Sequence, residues 1–245
     1  LECPNFKFSL KVAAALATGN CHIIKLSEKT PFSTAALGPL MIEAGFPPRV
    51  FQILSGDGST GALLAAHIRV RKVSFTGSIP TGKRVQEAAA KSNLKRVTLE
   101  LGGKSPAVIF DDCNLQNAIE WTTRGITLKT GQACFAASRV YVHEDLTKKF
   151  IEACKAKFKE ITTTMGDPDD EGTIVGPLVD ETQFKKVTGY IERGQNGQGT
   201  MIIGGKRVGD KVSLILGSFI LRVHGLKFEG ILHRAHYLQR RISRC

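Results

Sequence analysis

Three short strings of this sequence hold residue types from which a reaction could be built. In TGQACFAASR (130–139), Cys134 follows Gly131 closely and sits among small residues. A thiol so placed can meet a substrate while backbone N–H groups hold an oxyanion. Against that, a cysteine flanked by Ala and Phe is more often a buried structural residue. In VTLELGGKSP (97–106), an acid, Glu100, lies inside an otherwise apolar strand just ahead of a Gly-Gly turn. Burial there would cost several kcal/mol unless the carboxyl were protonated or paired, a setting that suits a general base. An edge-strand glutamate facing water fits the segment equally well. In KVSFTGS (72–78), a strand ends in Thr-Gly-Ser ahead of a helix opened by Pro80, and helix N-termini favour phosphate groups. The turn before it, SGDGSTG (55–61), has the glycine density of a nucleotide loop, is read as lacking the G-x-G-x-x-G spacing, and divides evenly between a plain turn and a cofactor loop.

The elements that must position these residues alternate. Up to about residue 204, short apolar, β-branched runs are separated by longer amphipathic ones, the pattern of βα units around a mostly parallel sheet. Strands are predicted at 21–26, 50–54, 70–75, 96–101, 107–110, 140–143 and 200–203. Helices are predicted at 8–17, 33–44, 60–67, 80–91, 115–123, 145–161 and 180–193. Pro80 suits a first helical turn, and Gly45 follows the second helix as a terminator. Crossovers between parallel strands are expected to be right-handed. Gly102 and Gly103 permit a sharp turn and Pro106 ends local regularity, which places a domain boundary after Leu101. The fold class is therefore α/β, with one domain over 1–101 and part of a second over 102–211. Residues 212–245 sustain neither period and do not read as a continuation.

At 245 residues and 42% hydrophobic content the chain can bury a sizeable core. Its apolar runs fall short of a membrane span, and LECPNFKF lacks the halves of a signal peptide, so a cytoplasmic protein away from membranes is expected. Cys3, Cys21, Cys113, Cys134, Cys154 and Cys245 form no CxxC pair and no zinc spacing, which predicts reduced thiols and no metal. The net charge of +12 suggests a polyanionic partner until its distribution is followed. Residues 211–245 carry seven Lys or Arg against the single acid Glu229, which is half of the excess. No basic and aromatic residues interleave as on a nucleic-acid platform, so nucleic acid is not the expected partner.

Together, in this order, the segments resemble the aldehyde dehydrogenase superfamily, most closely its branch acting on small aliphatic aldehydes and retinal. The resemblance runs from about Phe8 to Asp210 through ALATGN, EAGFPP, KVSFTGS, KSNLKRVTLELGGKSP and GQACFAASR. It implies that 1–101 is part of a cofactor-binding domain and 102–211 part of a catalytic domain. It also implies that Cys134 is the nucleophile, Glu100 the general base, and Lys25 and Glu28 of KLSEKTP the grip on the adenosine ribose of NAD. Gly77 and Ser78 of FTGS fall where the pyrophosphate is bound. A small aldehyde is the implied substrate, and complete relatives are implied to form homo-oligomers. A carboxylate at Glu28 would repel a 2′-phosphate, favouring NAD over NADP. Phe135 is bulkier than the family's usual residue after the nucleophile, and the GDGSTG turn is one residue short. The family's PWNFP, whose Asn helps hold the oxyanion, is unmatched: ungapped counting places Glu2, not Asn5, at that position. The match begins about a third of the way into the family's chain and stops before its last third, so a catalytically incompetent fragment is the competing class. A basic nucleic-acid-binding protein is the remote one.

Beyond Lys211 the family usually continues with a segment like GYFIEPT, whereas this chain reads GILHRAHYLQRRISRC (230–245). Back-translated with suitable codons and read one nucleotide later, that stretch can encode GYFIEPTIFNDESPDA. Residues 212–229 with one further base would then be a retained intron, short as in fungal genes, and Lys211-Val212-Ser213 can be AAG-GTA-AGT, a splice-donor-like start. Genomic and transcript sequences across codons 205–245 are expected to show that intron; one continuous frame in the gene rejects it.

Overall fold

The computed structural model describes residues 4–197, 200–208, 214–215 and 219–221. The chain divides between Gly103 and Lys104 into two compact units.

In the first unit, α1 (Pro4–Ala17) precedes β1 (His22–Lys25), and Gly19, in the left-handed region at φ 76°, turns the chain out of the helix. Two short helices, α2 (Phe32–Ala35) and α3 (Leu37–Glu43), then lead to β2 (Phe51–Leu54), which pairs with β1 in parallel. One helix was expected over 33–44. Pro39 explains the division, because it has no N–H for the carbonyl four residues earlier and its ring would strike that carbonyl. Next come α4 (Gly58–Ala66), β3 (Lys72–Gly77), α5 (Ile79–Ser92) and β4 (Arg96–Leu101), with β3 and β4 parallel over six residues from Lys72↔Arg96 to Gly77↔Leu101. Strand alternation sorts this pair cleanly. Val97, Leu99 and Leu101 are half-buried on one face, where Gly82 of α5 lets the helix approach the two leucines closely.

The second unit repeats the parallel pairing. Strand β5 (Pro106–Ile109) is joined through α6 (Leu115–Thr127) to β6 (Arg139–Val142), in register from Pro106↔Arg139 to Ile109↔Val142. Helix α7 (Thr147–Thr162) buries Phe150, Cys154 and Phe158, one residue per turn along a single stripe, against Ile109 and Ile119. Burial pushes the Cys154 thiol up to about 12, so this cysteine is part of the core and not a reagent. Helix α8 (Glu181–Gln195) sets Ile191 against Leu178 and Met201. Strand β7 (Thr200–Ile203) pairs antiparallel with β10 (Phe219–Leu221), and β8 (Arg207–Val208) with β9 (Leu214–Ile215). Of these, β9 and β10 lie inside the segment read as a tail, and the remainder of 212–245 is outside the described residues. Where one sheet was expected, the described strands form separate two-stranded pairs, three of them parallel.

Two polar groups fix the first unit. Lys95, only 6% exposed, donates from Nζ to the Ala65 carbonyl at 2.6 Å and to Ser92 Oγ at 2.5 Å. Ala65 lies in the last turn of α4, where carbonyls have no partner within the helix, so the ammonium closes that end. Replacing Lys95 by Met keeps the apolar stem and strands the carbonyl. Urea unfolding is expected to register a loss of about 1–3 kcal/mol. His22 stacks on Phe51 at 6.3 Å between ring centres, and burial, then the Lys11 ammonium, holds its imidazole below the usual 6.5. The unfolded chain therefore takes up a proton that the folded chain refuses. Stability from this group is present above 6.5 and is lost as pH falls through the lowered value. A His22→Gln chain should lose less stability than the parent between about pH 7.5 and about pH 5.5 in urea melts, and equal slopes would remove His22 as the cause.

Candidate active site

Five of the six residues singled out by the sequence lie in the first unit, at the C-terminal ends of its parallel strands. Lys25 closes β1. Its Nζ donates to the Gly56 carbonyl at 2.9 Å and the Asp57 carbonyl at 3.3 Å, and stands 3.4 Å from Glu28 Oε2. The structure thus brings Lys25 and Glu28 together and ties Lys25 to the glycine-rich turn. The Glu28 carboxyl is held below its ordinary range, first by its own backbone N–H and then by Lys25, so it is an anion at neutral pH. Gly56 has φ 144°, and any side chain on it would collide with Thr60, so this position requires glycine.

The glycines at 56, 58 and 61 do have the G-x-G-x-x-G spacing of a dinucleotide loop, which corrects the reading of this turn as lacking it. The geometry nevertheless directs an anion elsewhere. Asp57 caps α4 with its own carboxylate, accepting from the Ser59 N–H at 2.8 Å and the Ser59 hydroxyl at 2.6 Å. A negative charge already fills that helix start. The start of α5 is different, because its cap is the neutral hydroxyl of exposed Ser78, which accepts from the Thr81 N–H at 3.4 Å. Gly77 ends β3 directly before it. An uncharged helix N-terminus reached through a glycine can receive a phosphate.

Glu100 sits on β4 opposite Thr76 of β3. Of the two settings the segment left open for its carboxyl, the structure shows the water-facing one and not the buried one: Glu100 is exposed, in line with Arg96 and Thr98 on the face away from α5. Alternation decides this, since the three apolar residues of the strand take the helix-facing side. Beside it, Thr76 Oγ1 is buried and has no hydrogen-bond partner. Sequence reasoning missed Thr76, although its place in FTGS on the polar face of β3 was the available signal. A lone buried hydroxyl at the C-terminal edge of parallel strands is a group that a bound ligand can satisfy.

Cys134 belongs to the second unit, in the loop between α6 and β6, and is half-buried. Upstream, the chain kinks over Leu128–Gly131 into a left-handed turn in which Lys129, Thr130 and Gly131 all have positive φ. A side chain on Gly131 would come within 3.1 Å of the Ile126 carbonyl. Downstream, the Ala137 N–H donates to the Gly125 carbonyl at 3.1 Å, which returns the loop to α6. Phe135 is 58% exposed, so its bulk stands beside the thiol rather than in the core. Asn5 is in the first turn of α1, and Glu2 lies outside the described residues. Among the described residues no three His, Cys, Asp or Glu side chains are grouped to hold a metal, and no helix is long and apolar enough to cross a membrane.

Comparison with known proteins places this chain in a family. The model of the aldehyde dehydrogenase family matches residues 2–223, continuing past Lys211. An aldehyde dehydrogenase of Agaricus bisporus is 46% identical over 209 residues, covering 85% of this chain and 41% of that protein. Cytosolic aldehyde dehydrogenase 1 of Rattus norvegicus is 43% identical over 209 residues, covering 85% and 41%. A single-substitution form of betaine aldehyde dehydrogenase from Staphylococcus aureus, solved with NAD+, superposes with a TM-score of 0.84 at 34% identity, covering 90% of this chain and 45% of that one. The chain spans 41% of the length of both curated relatives. With the family model matched over most of its residues and the fold shared with a solved member, this chain belongs to the aldehyde dehydrogenase family.

Proposed function

We propose that these residues serve the NAD-dependent oxidation of an aldehyde to a carboxylic acid, with Cys134 as nucleophile and Glu100 as general base. The observation that carries this reading is the loop of Cys134, in a chain matched to the family: a half-buried thiol held between a left-handed turn and a return to α6. The other well-described core thiol, Cys154, is sealed and inert by contrast.

In this mechanism the Cys134 thiolate attacks the aldehyde carbon, and loop N–H groups receive the negative oxygen of the thiohemiacetal. NAD, when bound, supplies the hydride acceptor that turns the thiohemiacetal into a thioester. Lys25 and Glu28 would hold its adenosine ribose, with the anionic Glu28 disfavouring a 2′-phosphate, while Gly77 and Ser78 would receive its pyrophosphate. The unpartnered Thr76 hydroxyl offers a further polar contact on the same strand. Glu100 takes a proton from water, whose oxygen attacks the thioester carbon. The Cys134 thiolate then leaves, and the acid is released.

A second reading, that these 245 residues alone are catalytically incompetent, is favoured by large apolar side chains standing in water: Phe32 is 85% exposed, Ile42 78% and Ile174 77%.

Three measurements test these readings. In the complete product of the gene, Cys134→Ala should lower aldehyde turnover on the order of 10³-fold or more with NAD affinity nearly unchanged. Glu100→Gln should slow thioester hydrolysis by about 10²-fold or more while still releasing one equivalent of NADH in a burst. Comparable turnover by either variant removes the corresponding role. For the isolated chain, absorbance of NADH with NAD and a short aliphatic aldehyde is expected to show no sustained turnover, and steady turnover by soluble monomer rejects the second reading.

A further inference from the structure

The turn before Cys134 is held in a backbone shape that its residues resist. Lys129 has φ 52°, ψ 39° and Thr130 has φ 58°, ψ 36°, both left-handed, and Gly131 follows at φ 71°. Glycine takes this shape freely, but a β-branched threonine is among the residues least suited to it. Two consecutive non-glycine residues would relax toward right-handed dihedrals unless something outside the turn opposed them.

Two side chains do so. Thr130 Oγ1 donates to the Gly176 carbonyl at 2.8 Å. Gln132 accepts at Oε1 from the Val179 N–H at 3.0 Å, while its Nε2 donates to the Lys129 carbonyl at 3.2 Å. That same carbonyl takes the Gln132 backbone N–H at 3.1 Å. The far partners are firm, because Val175 and Leu178 are buried and Val175 bridges to Met165. Gln132 thus spans from the start of the turn to the 176–179 segment, two residues before the thiol.

We propose that Thr130 and Gln132 are positioning residues for Cys134: their side chains splint the left-handed turn to the 176–179 segment, anchored by buried Leu178, and so fix where the thiol is presented. The inference rests on the reading of Cys134 as nucleophile, because only a reacting atom needs its place fixed so closely. Neither side chain touches the reacting atoms in this account. Each acts through the backbone of the loop.

The test is iodoacetamide alkylation of the 245-residue chain, followed by peptide mass spectrometry that reads Cys134 against the exposed Cys21 of the first unit. Thr130→Val keeps the shape of the side chain without its donor, Thr130→Ser keeps the donor, and Gln132→Ala removes both amide bonds. Thr130→Val should raise the Cys134 to Cys21 rate ratio about fivefold, the change in local opening that one lost hydrogen bond brings, and Gln132→Ala, which loses two, should raise it by at least about as much. Thr130→Ser should stay within about twofold of the parent, restoring what Val removes. An unmoved ratio in chains that keep their circular dichroism, or Thr130→Ser behaving like Thr130→Val, overturns the proposal. Should one of the first two variants fail to fold, the other carries the same criterion. Unfolding of both, with Thr130→Ser intact, would show a purely structural role and also overturn it. Aldehyde turnover by Cys134→Ala would defeat the nucleophile assignment, an outcome distinguishable from an unmoved alkylation ratio.

Discussion

A parallel strand pair can be made only if the chain, having left one end of the first strand, crosses back to enter the second from the opposite end. That constraint governs both units. Each crossover in β1 to β2, β3 to β4 and β5 to β6 carries one or more helices. Loops after the strands consequently gather at their C-terminal edges, and it is there that Lys25, Gly77, Ser78 and Glu100 stand. Side chains far apart in sequence need no further device to reach one edge of a unit. What varies is how each loop is secured, by the Lys25 ammonium in one place and by the Ser78 hydroxyl in another.

Much of this was legible in the sequence because the two periods are strong. The strand Arg96–Leu101 falls where a short apolar, β-branched run placed it, and Thr200–Ile203 likewise. Helix ends were marked by Gly45, and the start of α5 by Pro80. The division of 33–44 was also written in the sequence, at Pro39, but periodicity outweighed it in the reading. Glu100 shows a different limit. An acid within an apolar run can lie on either face, and a side chain's surroundings depend on which helix covers which side, something one strand does not encode. The resemblance to the family identified Lys25 with Glu28 and Cys134 as important, but it did not reveal that a lysine binds the carbonyls of a glycine turn. Tertiary hydrogen bonds between residues more than thirty apart leave no local pattern.

The contrast between cysteines makes the same point physically. Cys134 and Cys154 are both flanked by alanine on one side, and composition alone does not separate them. Cys154 falls on the buried stripe of a helix between two phenylalanines, where apolar packing suppresses ionisation. Cys134 falls in a loop whose path is set by polar contacts at both ends. Local backbone class, rather than neighbouring residues, distinguishes packing material from a group available to solvent and ligands.

The three interactions of the Lys25 ammonium are of two kinds, and the difference has an evolutionary consequence. Two bonds go to backbone carbonyls of the glycine turn, which every sequence provides, and one contact goes to the carboxylate of Glu28, which a single codon can change. The scaffold and the charge displayed upon it are therefore inherited separately. A lineage could retune the electrostatic character of this edge through position 28 while the turn, anchored by its own carbonyls, persisted. Modularity of that kind, achieved within one side chain's reach, lets selection explore ligand preference without first risking the fold.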